Sequence, residues 1–476
     1  MSKSSNHIDD PKPSEYSISF SEAGLATVRG AGVVRQTDVS MSVEDQGIAL
    51  AFGTTLPPHL ADLLDIAVAA YVADRLCVRR PRSAARGAAD ELWQRRMTIR
   101  LPLRDPAVWS AGRRQRVESL LGFLTDDAWS LQFTPERPKL RLSEMQGSLF
   151  QDLPSGDASA GLLSGGLDSL AGLTSELATF PDRTVVAFSA QTNRRIGTYQ
   201  RDQIQALVAR FGPRVRHIQV MIRLKDRKRG EYDREEPSQR TRGFVFQLFG
   251  AVTAAIAGID SLHVYENGVG ALNLPYSASQ LGAQATRATN PITVSMASDL
   301  VSDVVGVPFH VHLPHQFATK AEMCQIFTDP CLTGLIPLTI SCDSFPQRFR
   351  GKPQCGVCPS CLFSRQSLFS AGLRPADPSN RFRHDVYRMS AKMWTERSYH
   401  LRVMTMQAAA IAAATNRRDA WPALVYRYPM LLEIARQIER TGVANPAEPM
   451  LSRLSRYAAE WLSFWSTIND QSMGSA

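Results

Sequence analysis

The sequence predicts an α/β fold: a parallel, doubly wound sheet at the centre, an α+β segment before it and a helical region after it. Three observations carry this expectation. From residue 160, strand-like apolar runs alternate with helical stretches, the pattern of parallel βαβ units with helices on both faces. The first of those strands runs into the glycine-rich turn of "GLLSGGLDSLAGL" (161–173). Beyond about residue 373, apolar residues recur at helical spacing.

At 476 residues the chain is too long for one core, and the pattern divides it into 1–155, 156–372 and 373–476. A composition of 44% apolar and 21% charged residues excludes a low-complexity or collagen-like protein. The start, "MSKSSNHIDDPKPSEY", has no apolar signal region and predicts a loose tail. The apolar run "FVFQLFGAVTAAIAGI" (244–259) is short for a membrane span and contains Gln247, so a buried helix is expected. Both readings point to the cytoplasm and away from a membrane.

In the first segment, "YSISF" (16–20), "VSMSV" (39–43), "MTIRLPL" (97–103) and "WSLQF" (129–133) read as strands. "HLADLLDIAVAAYVADRLCV" (59–78) and "RVESLLGFLTD" (116–126) read as helices, which makes a separate α+β unit. Residues 135–159 read as a polar linker. Net charge is +9, and eleven arginines lie between Arg79 and Arg116. That block could face nucleic-acid phosphates or an acidic protein, but a solvated surface paired with acids elsewhere is the preferred reading.

In the centre, "AGLLSGG" (160–166), "TVVAFSA" (184–190), "VRHIQVMI" (215–222) and "SLHVYENG" (261–268) are the expected strands. Ligands of such sheets gather beyond the carboxyl ends of the strands, so Ser164–Ser169, Gln191–Asn193 and Glu266–Gly270 should converge. The charged stretch 225–242 reads as a mobile loop. Beyond about residue 373 come three helices, over 399–416, 422–442 and 450–470, with no catalytic constellation of their own.

The turn itself suggests chemistry. Gly165 and Gly166 allow a sharp bend with backbone N–H groups facing one concavity. Ser164 and Ser169 add hydroxyls, and a helix starting near Asp168 turns its positive end to the same spot. A pyrophosphate suits those donors. No Walker lysine follows, and Leu162 rules out a GxSxG nucleophile elbow. "SGGLDS" resembles the SGGxDS signature of the PP-loop ATP pyrophosphatases, which implies an adenine nucleotide alpha hydrolase-like fold. It also implies ATP and Mg²⁺ held by Leu163, Ser164, Gly165, Gly166, Leu167, Asp168 and Ser169.

The second constellation is C-x12-C-x2-C-x2-C, formed by Cys342, Cys355, Cys358 and Cys361. Paired CxxC turns present four thiolates to one metal, so a closed, structural Zn²⁺ site is expected. Cys77, Cys324 and Cys331 read as packing residues, and His310, His312 and His315 as a strand end rather than a metal site.

Taken with this cysteine pattern, the loop resembles the 7-cyano-7-deazaguanine synthase (QueC-like) family over residues 158–372. "TKAEMCQIF" (319–327) is similar to a segment of that family and makes Lys320 a candidate contact for phosphate or carboxylate. "QRTRGFVFQLFGAVTAAIAG" resembles its Arg-Asn-led helix, with Arg242 matched and Gly243 in place of Asn. A family arginine after the last cysteine is Ser364 here, with Arg365 one place later. The flanking segments resemble those of the QueC-like component of the Qat anti-phage system.

The resemblance implies an ATP-dependent C–N ligase that adenylates a 7-carboxy-7-deazaguanine-like carboxylate. An amine, from ammonia or a partner protein of a defence system, then captures the product. Asp168 and Ser169 would orient pyrophosphate and metal, and Lys320 and Arg242 would offset negative charge. Two other readings are an RNA-modifying PP-loop enzyme and a degenerate scaffold.

Overall fold

The computed structural model describes residues 14–22, 25–30, 33–79, 94–145, 153–154, 156–226, 236, 238–276, 286–345 and 351–473. Its strands, in chain order, are β1 (Ser14–Phe20), β2 (Leu25–Gly30), β3 (Val33–Glu44), β4 (Arg95–Pro102), β5 (Ala128–Thr134), β6 (Ala158–Leu162), β7 (Thr184–Gln191), β8 (Val215–Asp226), β9 (Ser261–His263) and β10 (His310–His312). All ten join one sheet in the order β10-β9-β6-β7-β8-β3-β2-β1-β4-β5.

From β10 to β8 every pairing is parallel. The chain steps from β6 to β7 to β8 in one direction, then returns to lay β9 on the other side of β6. Strand β7 explains why helices cover both faces. Its Val185 and Ala187 pack with Leu170, Leu173 and Leu207, from the helices Leu167–Thr179 and Arg194–Phe211. Its Val186, Phe188 and Ala190 face the opposite core, with Phe249 and Val301 from the helices Arg242–Ile256 and Pro291–Val305. Strict alternation of apolar side chains on a doubly buried strand gives that result.

The expected separation of the first segment meets a sheet that continues across it. Six residue pairs, from Val39–Asp226 to Glu44–Met221, join β3 to β8 in antiparallel register. β8 extends to Asp226, four residues past the expected end, and β3 covers the edge it would otherwise leave open. One hydrophobic core runs through both parts, from Ile18 and Leu64 to Phe188 and Phe249. The helix Pro58–Leu76 packs on Arg242–Ile256, and Ala111–Thr125 packs on Pro291–Val305.

The expected linker also carries structure. Arg141 is buried and pairs with Asp45 at 2.8 Å and Asp65 at 2.5 Å. The region after residue 373 is helical as expected, but one helix is two. Pro429 ends Ala420–Arg427 and starts Met430–Arg440, because a proline cannot continue the hydrogen-bond ladder. With Tyr399–Thr415 and Ala447–Met473 these helices close a second core around Met404, Ile411, Leu431 and Trp461. Leu272, Leu274 and Leu362 belong to the same core, so the helical region is fastened to the central part. Among the described residues no helix is long and apolar enough to cross a membrane. Residues 227–235 and 237, within the stretch read as a mobile loop, lie outside the described residues.

Candidate active site

The strand order reverses between β6 and β9, and in such sheets a crevice opens beyond the strand ends at that point. A cavity of about 430 Å³ lies there. Ser164 and Asp168 after β6, Thr192 and Asn193 after β7, and Glu266 and Asn267 after β9 all line it. The three segments expected to converge do so, although Gln191 itself is buried and does not reach the wall.

The turn is built to aim its backbone donors. Gly165 has φ of +93°, a region in which a side chain would strain the backbone. Its carbonyl accepts from Gln203 Nε2 at 2.9 Å and from the Ile340 N–H at 2.9 Å, while the Ser164 carbonyl accepts from Gln200 Nε2 at 3.3 Å. With the carbonyls held, the N–H groups turn the other way. The Gly166 N–H donates to Ser164 Oγ at 3.3 Å, and the Leu167 N–H to Ser341 Oγ at 3.3 Å. Anion oxygens can take the place of such hydroxyls, and the helix Leu167–Thr179 directs its positive end there.

The expected loop residues divide into two sets. Ser164, Gly166 and Asp168 line the cavity. Leu163 and Leu167 are buried side chains, Gly165 supplies the bend, and Ser169 lies 3.0 Å from Ser164 Oγ and braces it. Gln200 and Gln203 look like ordinary polar helix residues in sequence, and only their complete burial marks them as loop supports.

Lys320 comes to this cavity from a distant helix, Lys320–Cys324, whose start is fixed by a capping box between Thr319 and Glu322. Lys320 Nζ lies 2.6 Å from Asp168 Oδ2. Burial works against its charge, but the Asp168 carboxylate outweighs that and raises its pKa. Asn267 Nδ2 donates to Asp168 Oδ1 and to Glu266 Oε1, both at 2.9 Å. Burial and the Asp168 charge push the Glu266 carboxyl up to about 8. Glu266 and Asn267 were expected near the strand ends but not as site residues; an acid closing a central strand was their only signal.

Arg242 also lines the cavity, at the exposed start of its helix. Asp74, from the first segment, holds that helix start: it accepts from the Thr241 N–H at 3.0 Å and from Thr241 Oγ1 at 3.1 Å. Gly243 admits no side chain, since a Cβ there would stand 2.3 Å from Ala288 Cβ. Behind the turn, Glu176 binds Ser159 Oγ, His263 Nδ1 and Tyr265 Oη. Burial opposes its charge, yet these partners hold its carboxylate down at about 2.

Cys342, Cys355, Cys358 and Cys361 are buried, with their sulfurs all within 4.8 Å of one another. The Cys355 N–H points to Cys342 Sγ at 3.3 Å, and the Cys358 N–H to Cys355 Sγ at 3.3 Å. Four clustered sulfurs supported by backbone donors could hold a metal ion such as zinc. The cluster adjoins the cavity, because Ser341, Cys342 and Asp343 form part of its wall. Arg365 is not at the site. It is fully buried between Asp377 and Asp385, each at 2.7 Å, and ties the following loop to the helix Pro359–Ser370.

The remaining expectations divide. His310 and His312 share the exposed face of β10. Cys77 and Cys324 are buried, whereas Cys331 is exposed and does not pack as expected. The arginine block is not one surface. Arg79, Arg95 and Arg104 are buried against Asp127, Asp74 and Asp62, while Arg96, Arg100, Arg113 and Arg116 pair with acids at the surface. Arg80, Arg82 and Arg86 lie outside the described residues. The helical region supplies a wall that sequence reading missed: Gln407, Ile411 and Tyr457 line the cavity.

Fold and site together define a mixed α/β protein with a parallel-stranded centre, a helical C-terminal region and a four-cysteine cluster beside a polar cavity. No family model matches the chain, and no curated protein matches it.

Proposed function

We propose that the protein is an ATP-dependent, AMP-forming C–N ligase of the PP-loop type. A substrate carboxylate attacks the α-phosphorus of ATP; the bond to the bridging oxygen of the β-phosphate breaks, and pyrophosphate leaves. An amine then adds to the acyl carbon of the acyl-adenylate. AMP departs with the electron pair of the C–O bond, and the amine gives up a proton.

The observation that carries this reading is the cationic Lys320 paired with Asp168 beside the Ser164–Gly166 turn, at the mouth of three converging strands. Pyrophosphate oxygens replacing the hydroxyls of Ser164 and Ser341 would meet the N–H groups of Gly166 and Leu167. Arg242 and Lys320 offset the charge that develops on the leaving group, and Gln200 and Gln203 keep the donors aimed. Asp168 is the carboxylate suited to Mg²⁺, which would neutralise phosphate charge when bound. The four cysteines would hold zinc with no open position, so its role is to tie the segment at Ser341 to the loop beyond it.

The resemblance in "SGGLDS" and in the cysteine spacing supports a 7-carboxy-7-deazaguanine-like acid as substrate and ammonia or a partner protein's amine as acceptor. It also supports a role in cytoplasmic anti-phage defence. The test is Asp168→Ala incubated with ATP, Mg²⁺, the deazapurine acid and ammonia. Wild type forms AMP and the variant does not; equal AMP from both ends the assignment.

A further inference from the structure

We infer that Glu460 is a positioning residue for the ATP-binding centre. Through Thr319 it fixes the start of the five-residue helix that carries Lys320, so the C-terminal helix Ala447–Met473 sets where that cation stands. The inference rests on the ligase reading above, in which Lys320 offsets charge on the departing pyrophosphate.

A helix of five residues makes too few internal hydrogen bonds to hold itself, so its start depends on what caps it. In the capping box of Lys320–Cys324, Thr319 Oγ1 accepts from the Glu322 N–H at 3.2 Å, and Glu322 Oε2 accepts from the Thr319 N–H at 2.7 Å. Both side chains have capacity left over, and one helix takes it up. The Thr319 hydroxyl donates to Glu460 Oε1 at 2.7 Å, and Glu322 Oε1 stands 2.6 Å from Arg456 Nε. Arg456 Nη2 donates to the Phe317 carbonyl at 2.9 Å, and Arg453 Nη1 donates to the Gln316 carbonyl. Arg453, Arg456 and Glu460 follow at helical spacing, so one face of Ala447–Met473 holds the whole segment 316–322.

Of these contacts the one to Glu460 decides. The side chains of Arg456 and Glu322 are 40% and 39% exposed, and solvent weakens their pairing. Thr319 is fully buried, so water does not replace its acceptor. Glu460 is itself held by the helix Pro359–Ser370: its Oε2 accepts from Gln366 Nε2 at 3.4 Å, and its carbonyl accepts from Ser370 Oγ at 3.5 Å. The same helix bears Phe363, whose ring centre lies 5.2 Å from Lys320 Nζ. One carboxylate therefore fixes the Lys320 helix start to the helix that carries the ring beside its ammonium. With the acceptor gone, the buried Thr319 hydroxyl loses its partner, the helix start relaxes, and Nζ loses its place beside Asp168. Glu460 lies outside the cavity wall and acts through Thr319 and Lys320.

The experiment is steady-state AMP formation from ATP, Mg²⁺, 7-carboxy-7-deazaguanine and ammonia. Wild type is compared with Glu460→Met, Glu460→Gln, Lys320→Met and the double variant Glu460→Met/Lys320→Met. Glu460→Met keeps the volume but removes the acceptor, and should lower kcat by roughly tenfold. KM for ATP should move less, since Lys320 acts on charge that develops at the leaving group. Glu460→Gln keeps an acceptor for the Thr319 hydroxyl and should recover most of the lost rate. Because Glu460 acts through Lys320, Glu460→Met should take little further from the residual rate of Lys320→Met, whereas a merely structural role would multiply the two losses. Thermal melts establish that each variant is folded at the assay temperature; should Glu460→Met fail to fold, Glu460→Ala assayed at a lower temperature carries the same comparison. An undiminished kcat in Glu460→Met, equal losses in the Met and Gln variants, or multiplied losses in the double variant overturn the positioning role and leave the ligase reading standing. No AMP from the wild type overturns the ligase reading, and this inference with it.

Discussion

Lys320 Nζ and Asp168 Oδ2 stand 2.6 Å apart although 152 positions separate them in the chain. The pair joins the first turn of the helix after β6 to the capping-box helix Lys320–Cys324. Lys320→Met therefore leaves the Asp168 carboxylate without its cation. With Lys320 buried and Asp168 partly exposed, breaking the pair costs about 1–3 kcal/mol. The double variant Lys320→Met/Asp168→Asn should recover part of that loss. Denaturant melts of the four proteins measure the coupling, and strict additivity would contradict it.

Glu266 makes stability depend on pH. Its carboxyl titrates near 4.5 when free and is pushed up to about 8 here, by burial and then by the Asp168 charge. The folded state thus holds a proton that the unfolded chain releases. The stability that proton brings is complete below pH 4.5 and is lost as pH rises through about 8. Glu266→Gln should melt at an increasingly higher temperature than wild type across that window, with a constant difference above it. Melting curves from pH 5 to 9 check this, and a difference independent of pH refutes it.

For the cysteine cluster, one substitution suffices. Cys355→Ser removes one of four sulfurs that lie within 4.8 Å of one another. Bound zinc, measured by elemental analysis, should fall from near-stoichiometric to a small residue, and the melting temperature should fall with it. A wild-type protein purified without metal would refute the assignment directly.

Gly243→Asn tests close packing at the start of the Arg242 helix. A Cβ at 2.3 Å from Ala288 Cβ forces one backbone away from the other. A cost of about 1–3 kcal/mol is expected, with a weaker affinity for ATP as Arg242 moves. Calorimetric titration with ATP, set beside a thermal melt, separates the two effects.

What could be read in advance follows the range of the interactions. Strands β6 to β8 and the turn between β6 and its helix are local patterns, alternation followed by glycine, and were legible. The pairing of β3 with β8 brings Ser42 to Arg223 across most of two segments, and nothing local announces it. Lys320 was legible through a short resemblance, but its partner was not. Gln407, Ile411 and Tyr457 were invisible for another reason: they fall at the spacing of ordinary helix core residues, and only the fold turns that face toward a cavity. Arg95 and Arg79 were misread as surface charge because sequence shows the arginines but not the acids folded over them.

Asp74 holding the Thr241 end of the Arg242 helix has a practical consequence for anyone dividing the gene. A fragment beginning at 156 would resemble a self-sufficient catalytic piece, yet it would lack the carboxylate that anchors the arginine-bearing helix. It would also expose the outer edge of a twelve-residue strand and open half of a shared core to water. Such a fragment should precipitate on expression, and supplying residues 1–155 as a separate chain should restore its solubility.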